Sequence, residues 1–89
     1  MKRTWEVRSG ADLGRAIADI RRSRGLTQKE LATESSLPRA YLAQIETGRS
    51  GSLIEKTLRV LRRLGATITV TVEIGEGNGN GNGNGNGEA

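Results

Sequence analysis

Residues 39–46, Arg-Ala-Tyr-Leu-Ala-Gln-Ile-Glu, carry two side chains, Arg39 and Gln44, that can each make paired hydrogen bonds to a flat polar edge. A guanidinium can bond guanine O6 and N7 together, and a carboxamide can do the same to adenine N6 and N7. The small Ala40 and Ala43 permit close approach to a thymine methyl. Leu42 and Ile45, three apart, share one side of a short helix, with Tyr41 at its margin. The opposite side, Arg39, Ala40, Ala43, Gln44 and Thr47, is left for something other than packing. The bland alternative is a pair of short helices that merely completes a small bundle.

Other chemistries are poorly supplied. The chain has no Cys and no His, which removes disulfides, thiolate catalysis, Cys/His metal sites and every triad that needs an imidazole. Asp12, Asp19, Glu30 and Glu46 fall on caps, ion pairs and exposed faces, without a base or nucleophile constellation. The expectation is therefore no enzyme, no cofactor and no metal. No run approaches the roughly 20 apolar residues of a membrane span, and the N-terminus lacks the apolar stretch of a secretory signal. A cytoplasmic protein with no membrane contact is expected.

Charge points the same way as the polar face. Residues 1–74 hold all 14 basic residues and eight of the ten acidic ones, a net of +6 on a small body. Excess base suits a polyanionic partner, although it also serves solubility. A protein-binding module with incidental basicity is the competing reading from another class.

The elements that must position Arg39 and Gln44 are marked by their ends. Ser9 with Asp12, Thr27 with Glu30, and Ser52 with Glu55 read as helix starts of the capping-box kind, and Pro38 preorganises a fourth. Gly25, Gly48 and Gly65 read as stops. These signals predict helices at 10–24, 28–35, 39–47 and 53–64. Leu13, Ala16, Ile17 and Ile20 should form the buried stripe of the first, and Ile54, Leu58, Leu61 and Leu64 that of the fourth. Leu31, Ala32, Leu42 and Ile45 join the middle pair. Leu53 and Val60, seven apart, fall beside the fourth stripe and fit a broad core face or a dimer surface equally well.

After Gly65 the period changes to two. Ile68, Val70, Val72 and Ile74 alternate with Thr67, Thr69, Thr71 and Glu73, which predicts a strand. Its candidate partners are the short Thr4–Val7 stretch and the same strand of a second chain, and the second chain satisfies it better. Residues 75–89, rich in Gly and Asn, lack the apolar side chains to offset ordering and are expected to be disordered. The organisation predicted is an extended segment at 1–8, a helical domain at 9–65, a dimerisation strand at 66–74 and a tail at 75–89.

The stretches "LTQKELA", "YLAQIETG" and "TLRVLRRLG" resemble the lambda repressor/Cro (Xre) helix-turn-helix family across roughly Ser9 to Gly65. The resemblance implies a mainly α four-helix domain that binds double-stranded DNA as a repressor. It puts base contacts at Arg39, Ala40, Ala43 and Gln44, phosphate contacts at Gln28, Thr47 and Arg49, and a structural ion pair between Arg21 and Glu46. Family members often have Ser or Thr where this chain has Pro38. Followed directly by the strand, the domain is further similar to HipB-type antitoxins. That likeness implies a homodimer joined through Ile68, Val70, Val72 and Ile74 of paired strands, a palindromic operator, and a HipA-type kinase toxin as a second partner.

Overall fold

The computed structural model describes residues 1–74, so the predicted tail at 75–89 lies outside the described residues. In order the elements are β1 (Lys2–Glu6), α1 (Gly10–Ser23), α2 (Gln28–Glu34), α3 (Arg39–Glu46), α4 (Ser52–Arg63) and β2 (Thr69–Glu73). Each helix starts and stops within two residues of the position that the sequence chemistry predicts.

Two of the three predicted side-chain caps form. Ser9 Oγ accepts the Asp12 N–H at 3.2 Å, while the Asp12 carboxylate reaches past the cap to the Arg8 N–H at 2.9 Å. That backbone hydrogen bond holds the Asp12 carboxyl below its usual range. Thr27 and Glu30 make the full reciprocal box. The box predicted at Ser52 and Glu55 does not form. Gly51, at φ 92°, occupies the cap position, Ser52 is already helical, and Glu55 Oε2 accepts instead from the Gly10 N–H at 2.9 Å. Gly10 opens α1, so its N–H has no intrahelical acceptor; Glu55 satisfies it and ties the two helix starts together.

All four helices stop in the same way. The residue after the last turn takes a left-handed conformation, and two backbone bonds close back onto the final carbonyls, as in Gly25 N–H to Arg22 O and Leu26 N–H to Arg21 O. Gly25, Gly48 and Gly65 fill this position in α1, α3 and α4, as predicted. In α2 it is filled by Ser36, at φ 58°.

The core is built of small residues. Val7, Ala16, Ala18, Ala32, Leu42 and Leu58 are buried, with Leu13, Ile17, Ile20, Leu31 and Ile45 half-buried around them. On α1, Gly10, Gly14 and Ala18 are four apart and form one stripe. A Cβ on Gly14 would collide with the carbonyl oxygen of Ile45 and lie 2.7 Å from that of Glu46. The missing side chain is what lets the α3 backbone lie directly on α1.

The fourth helix corrects part of the predicted core. Leu58 is buried and Leu61 half-buried, but Ile54 and Leu64 are exposed, as are Leu53 and Val60. Its apolar arc is wider than the contact that the other described residues offer.

The strand also has a different partner from the one preferred. β2 pairs antiparallel with β1 of its own chain in the register Lys2↔Glu73, Thr4↔Thr71 and Glu6↔Thr69. Backbone bonds at Val7 N–H to Ile68 O and Ile74 N–H to Met1 O extend the ladder at both ends. The β1 segment is longer than Thr4–Val7, so a local partner suffices. Val7, Trp5, Ile68, Val70, Val72 and Ile74 lie on the face toward α1. Trp5 Nε1 donates to Asp19 Oδ2 of α1 at 3.1 Å, and Arg3 stacks 4.5 Å above the indole. No helix among the described residues is long and apolar enough to cross a membrane.

Candidate nucleic-acid interface

The site begins at the turn from α2 to α3. Ser36 in its left-handed conformation and the Leu37 N–H bonded to Ala32 O at 2.9 Å reverse the chain. Pro38 then caps α3 with φ −60° and ψ 141°, without a side-chain hydrogen bond. The Leu42 N–H bonds to Pro38 O, so α3 starts at Arg39. The fixed φ of proline replaces the missing cap as the device that sets this start.

A polar anchor holds the other end of α3. Arg21 Nε donates to Glu46 Oε2 at 2.8 Å and Nη2 to Glu46 Oε1 at 3.1 Å, a two-pronged pair between α1 and α3. The side chains are only 12% and 5% exposed. Arg21 Nη1 also donates to Leu26 O at 2.8 Å, and Gln28 Nε2 to Glu46 Oε1 at 2.9 Å. The Glu46 carboxylate therefore joins α3 to α1 and to the start of α2, and Arg21 carries the link on to the α1–α2 turn. Burial opposes ionisation of Glu46, but the hydrogen bonds from Arg21 and Gln28 and the charge of Arg21 outweigh it, so its carboxyl titrates below the usual range. The same bonds raise Arg21.

With Leu42 buried and Ile45 half-buried against α1 and α2, the opposite face of α3 is outermost. Arg39, Ala40, Gln44 and Thr47 are exposed and Ala43 is half-buried. The structure thus brings all four predicted base-contacting residues onto one solvent face. Among the described residues, no protein group satisfies the Arg39, Gln44 or Arg49 side chain.

The three predicted phosphate-contacting residues are not equivalent. Arg49 is exposed with its guanidinium free. The Thr47 hydroxyl donates to Gln44 O at 2.9 Å, so its one proton is already engaged. Gln28 has turned one amide N–H inward to Glu46 and keeps its carbonyl and second N–H. The other basic side chains, at the end of α1 and along α4, divide as well. Arg21 is in the anchor, Arg22 pairs with Asp19 at 3.2 Å, and Arg24 reaches Glu73 O at 3.5 Å. On α4, Arg62 donates to Arg8 O, while Lys56, Arg59 and Arg63 are exposed.

Sequence reasoning missed Gly14, which seats α3; Ser36, which ends α2; and Gln28 as a second partner of Glu46. The Gly14 signal was present as small residues at positions 10, 14 and 18, four apart on one face of α1. Nothing in the sequence distinguishes a Gln that bonds a neighbour from one that points outward.

The family of helix-turn-helix domains matches this chain over residues 12–73. Over 62 residues the chain is 31% identical to an uncharacterized HTH-type transcriptional regulator, y4mF, of Sinorhizobium fredii, covering 70% of this chain and 82% of that protein. No solved structure matches.

Proposed function

Because this chain belongs to the helix-turn-helix domain family, we propose that it is a sequence-specific DNA-binding transcriptional repressor that reads base edges with α3. The observation that supports this most is the outward face of α3, a helix fixed at both ends, on which Arg39 and Gln44 are exposed beside Ala40 and Ala43, the residue types that can meet base edges closely. In this reading Arg39, Ala40, Ala43 and Gln44 touch bases, while Gln28 and Arg49 grip phosphates and Thr47 joins them by turning its hydroxyl from Gln44 O to the backbone of the DNA. The relative's description as a transcriptional regulator is consistent with it.

The repressor acts as a homodimer on a palindromic operator, with its two copies of α3 about 34 Å apart or a multiple of that. The pairing of β2 with β1 uses the backbone groups of Ile68, Val70, Val72 and Ile74, so those of Thr69 and Thr71 point away from β1. That outer edge is where a second β2 can add. Thr71→Pro removes an outward N–H and no β1–β2 bond, so it should weaken strand-mediated dimerisation while the fold persists. A HipA-like kinase as a further partner rests on the resemblance to HipB-type antitoxins, and copurification from the native cell tests it.

Selection from a random duplex library supplies the operator. Competition at fixed salt between that duplex and a scrambled one then tests the residue roles. Gln44→Ala and Arg39→Ala should each relax preference at one base position by about 1–3 kcal/mol. Arg49→Ala should weaken both duplexes alike. Equal losses on both duplexes for Gln44→Ala would reject base reading by α3.

A further inference from the structure

We infer that the cleft between the β1–α1 and α4–β2 connections is a binding site for a small monocarboxylate with a short aliphatic body. The cleft has a volume of about 180 Å³ and is bounded on one side by residues 6–8 and on the other by Arg62 and residues 65–68. It is smaller than the roughly 300–1,000 Å³ of pockets that take drug-sized ligands, so its ligand is a small one. None of its lining residues belongs to the proposed DNA contacts, and the inference stands apart from that reading.

The cleft opens where the strand pair stops closing. Val7 N–H donates to Ile68 O at 2.8 Å, but the return bond from Ile68 N–H to Val7 O is not made. In an antiparallel pair the N–H and C=O of one residue face the same neighbouring strand. The Ile68 N–H is therefore turned toward the β1 side, with no protein acceptor among the described residues. On the far wall, Gly65 at φ 77° swings the chain from α4 toward β2. Part of the lining is apolar, since Val7 is buried and Ile68 half-buried. An apolar lining with a few polar groups at its border is the usual make-up of a small-molecule site.

The class of ligand follows from the charges. Arg62 of one wall donates through Nη1 to Arg8 O of the other, which holds its guanidinium across the cleft and leaves the remaining N–H groups for a ligand. The Arg8 side chain makes no hydrogen bond or ion pair among the described residues. Asp12, the carboxylate that feels its charge, is already bonded to Arg15. Glu6 is the one carboxylate in the lining. Two guanidiniums against one carboxylate leave a single positive charge, which suits a monoanion and disfavours a dianion such as phosphate. A guanidinium can give a carboxylate two parallel N–H bonds, and the Thr67 hydroxyl and the Ile68 N–H are further donors in the lining. Val7 and Ile68 offer a short aliphatic body apolar surface to cover, a gain that a DNA phosphate would not make.

Amide NMR of the full chain tests it, in titrations at fixed ionic strength with sodium isobutyrate, sodium formate and isobutyramide. Isobutyrate should shift the Thr67 and Ile68 amide signals saturably, while those of Arg39 and Gln44 stay in place. Formate lacks the aliphatic body and isobutyramide lacks the charge, so each should bind about tenfold more weakly or worse. Arg8→Gln and Arg62→Gln should each weaken isobutyrate by about tenfold or more. Lys29→Gln, which removes an exposed cation from α2, should leave it unchanged. Arg8→Gln removes no side-chain bond of the fold, so the comparison holds even where Arg62→Gln loosens the end of α4. The inference is overturned when isobutyrate gives no saturable shift at Thr67 and Ile68, or when Lys29→Gln weakens it as much as Arg8→Gln. Formate binding as tightly as isobutyrate also overturns it, because the anion would then be held by charge alone.

Discussion

The seam between α1 and α3 and the outer half of α4 use opposite means. At the seam, Gly14 lets one helix backbone lie on another, and the buried Arg21–Glu46 pair closes the far end. Neither device needs much apolar area, and both fix position closely. On α4 the area is present, in Leu53, Val60 and Leu64, but nothing in the described chain covers it. A small domain has few large side chains to spend on its own core. Here Leu42 and Ile45 serve the seam, while Leu53, Val60 and Leu64 are left bare on α4.

The largest way to break that contrast is to fill the seam. Gly14→Val places a branched side chain against the Ile45 and Glu46 carbonyl oxygens, which are backbone and cannot rotate away. Overpacking of this kind should cost about 3 kcal/mol or more, since α3 must lift from α1. Urea denaturation should show the loss, and operator binding should fall with it. The comparison can be made on one residue type as well. Leu42→Ala should cost about 2–5 kcal/mol, because Leu42 is 3% exposed and its loss leaves a cavity. Leu64→Ala should change the stability of the isolated chain by no more than about 0.5 kcal/mol. Equal costs would mean that α4 is packed as tightly as α3.

The buried pair gives the next effect, and it depends on pH. The folded Glu46 carboxyl titrates below its unfolded value. Its contribution to stability is therefore fully present above about pH 4.3, the unfolded value, and is lost as pH falls through the lower folded one. Glu46→Gln leaves the Arg21 charge buried without a counter-ion and should cost about 3 kcal/mol at neutral pH. It should also flatten the acid limb of stability against pH. An acid limb as steep in the variant as in wild type would show that other carboxylates, Asp12 among them, govern acid unfolding.

How far the sequence disclosed all this depends on what kind of signal each residue left. Caps and stops are local, so Thr27, Gly25, Gly48 and Gly65 placed the helices correctly. Periodicity told strand from helix at Gly65. Placement of Arg39 and Gln44 on one outer face followed from Leu42 and Ile45 alone. What did not follow were choices between partners distant in the chain. Glu55 could cap its own helix or satisfy Gly10, 45 residues away, and its sequence context is the same in both cases. Likewise β2 could pair with β1 or with another copy, because alternation states which face is buried and not which edge is filled. The apolar arc of α4 was legible; which half of it the domain covers was not, since that depends on the angle at which α4 meets α1.

The smallest expected effect is a gain, and it lies in the turn that aims α3. Three helices end in a left-handed glycine, whereas α2 ends in Ser36 at φ 58°. A side chain in that conformation costs about 1 kcal/mol through the contact of its Cβ with the following carbonyl. Part of that returns to the unfolded chain as extra freedom when glycine replaces it. Ser36→Gly should therefore stabilise the fold by about 0.5 kcal/mol and raise Tm by roughly 3 °C. Operator affinity should not change, because the Leu37 N–H bond to Ala32 O and the ring of Pro38 still fix where α3 starts. A more stable variant with weaker binding would show that the stiffness of Ser36 itself helps to aim the helix. The rigid half of the comparison would then extend from the seam into the turn.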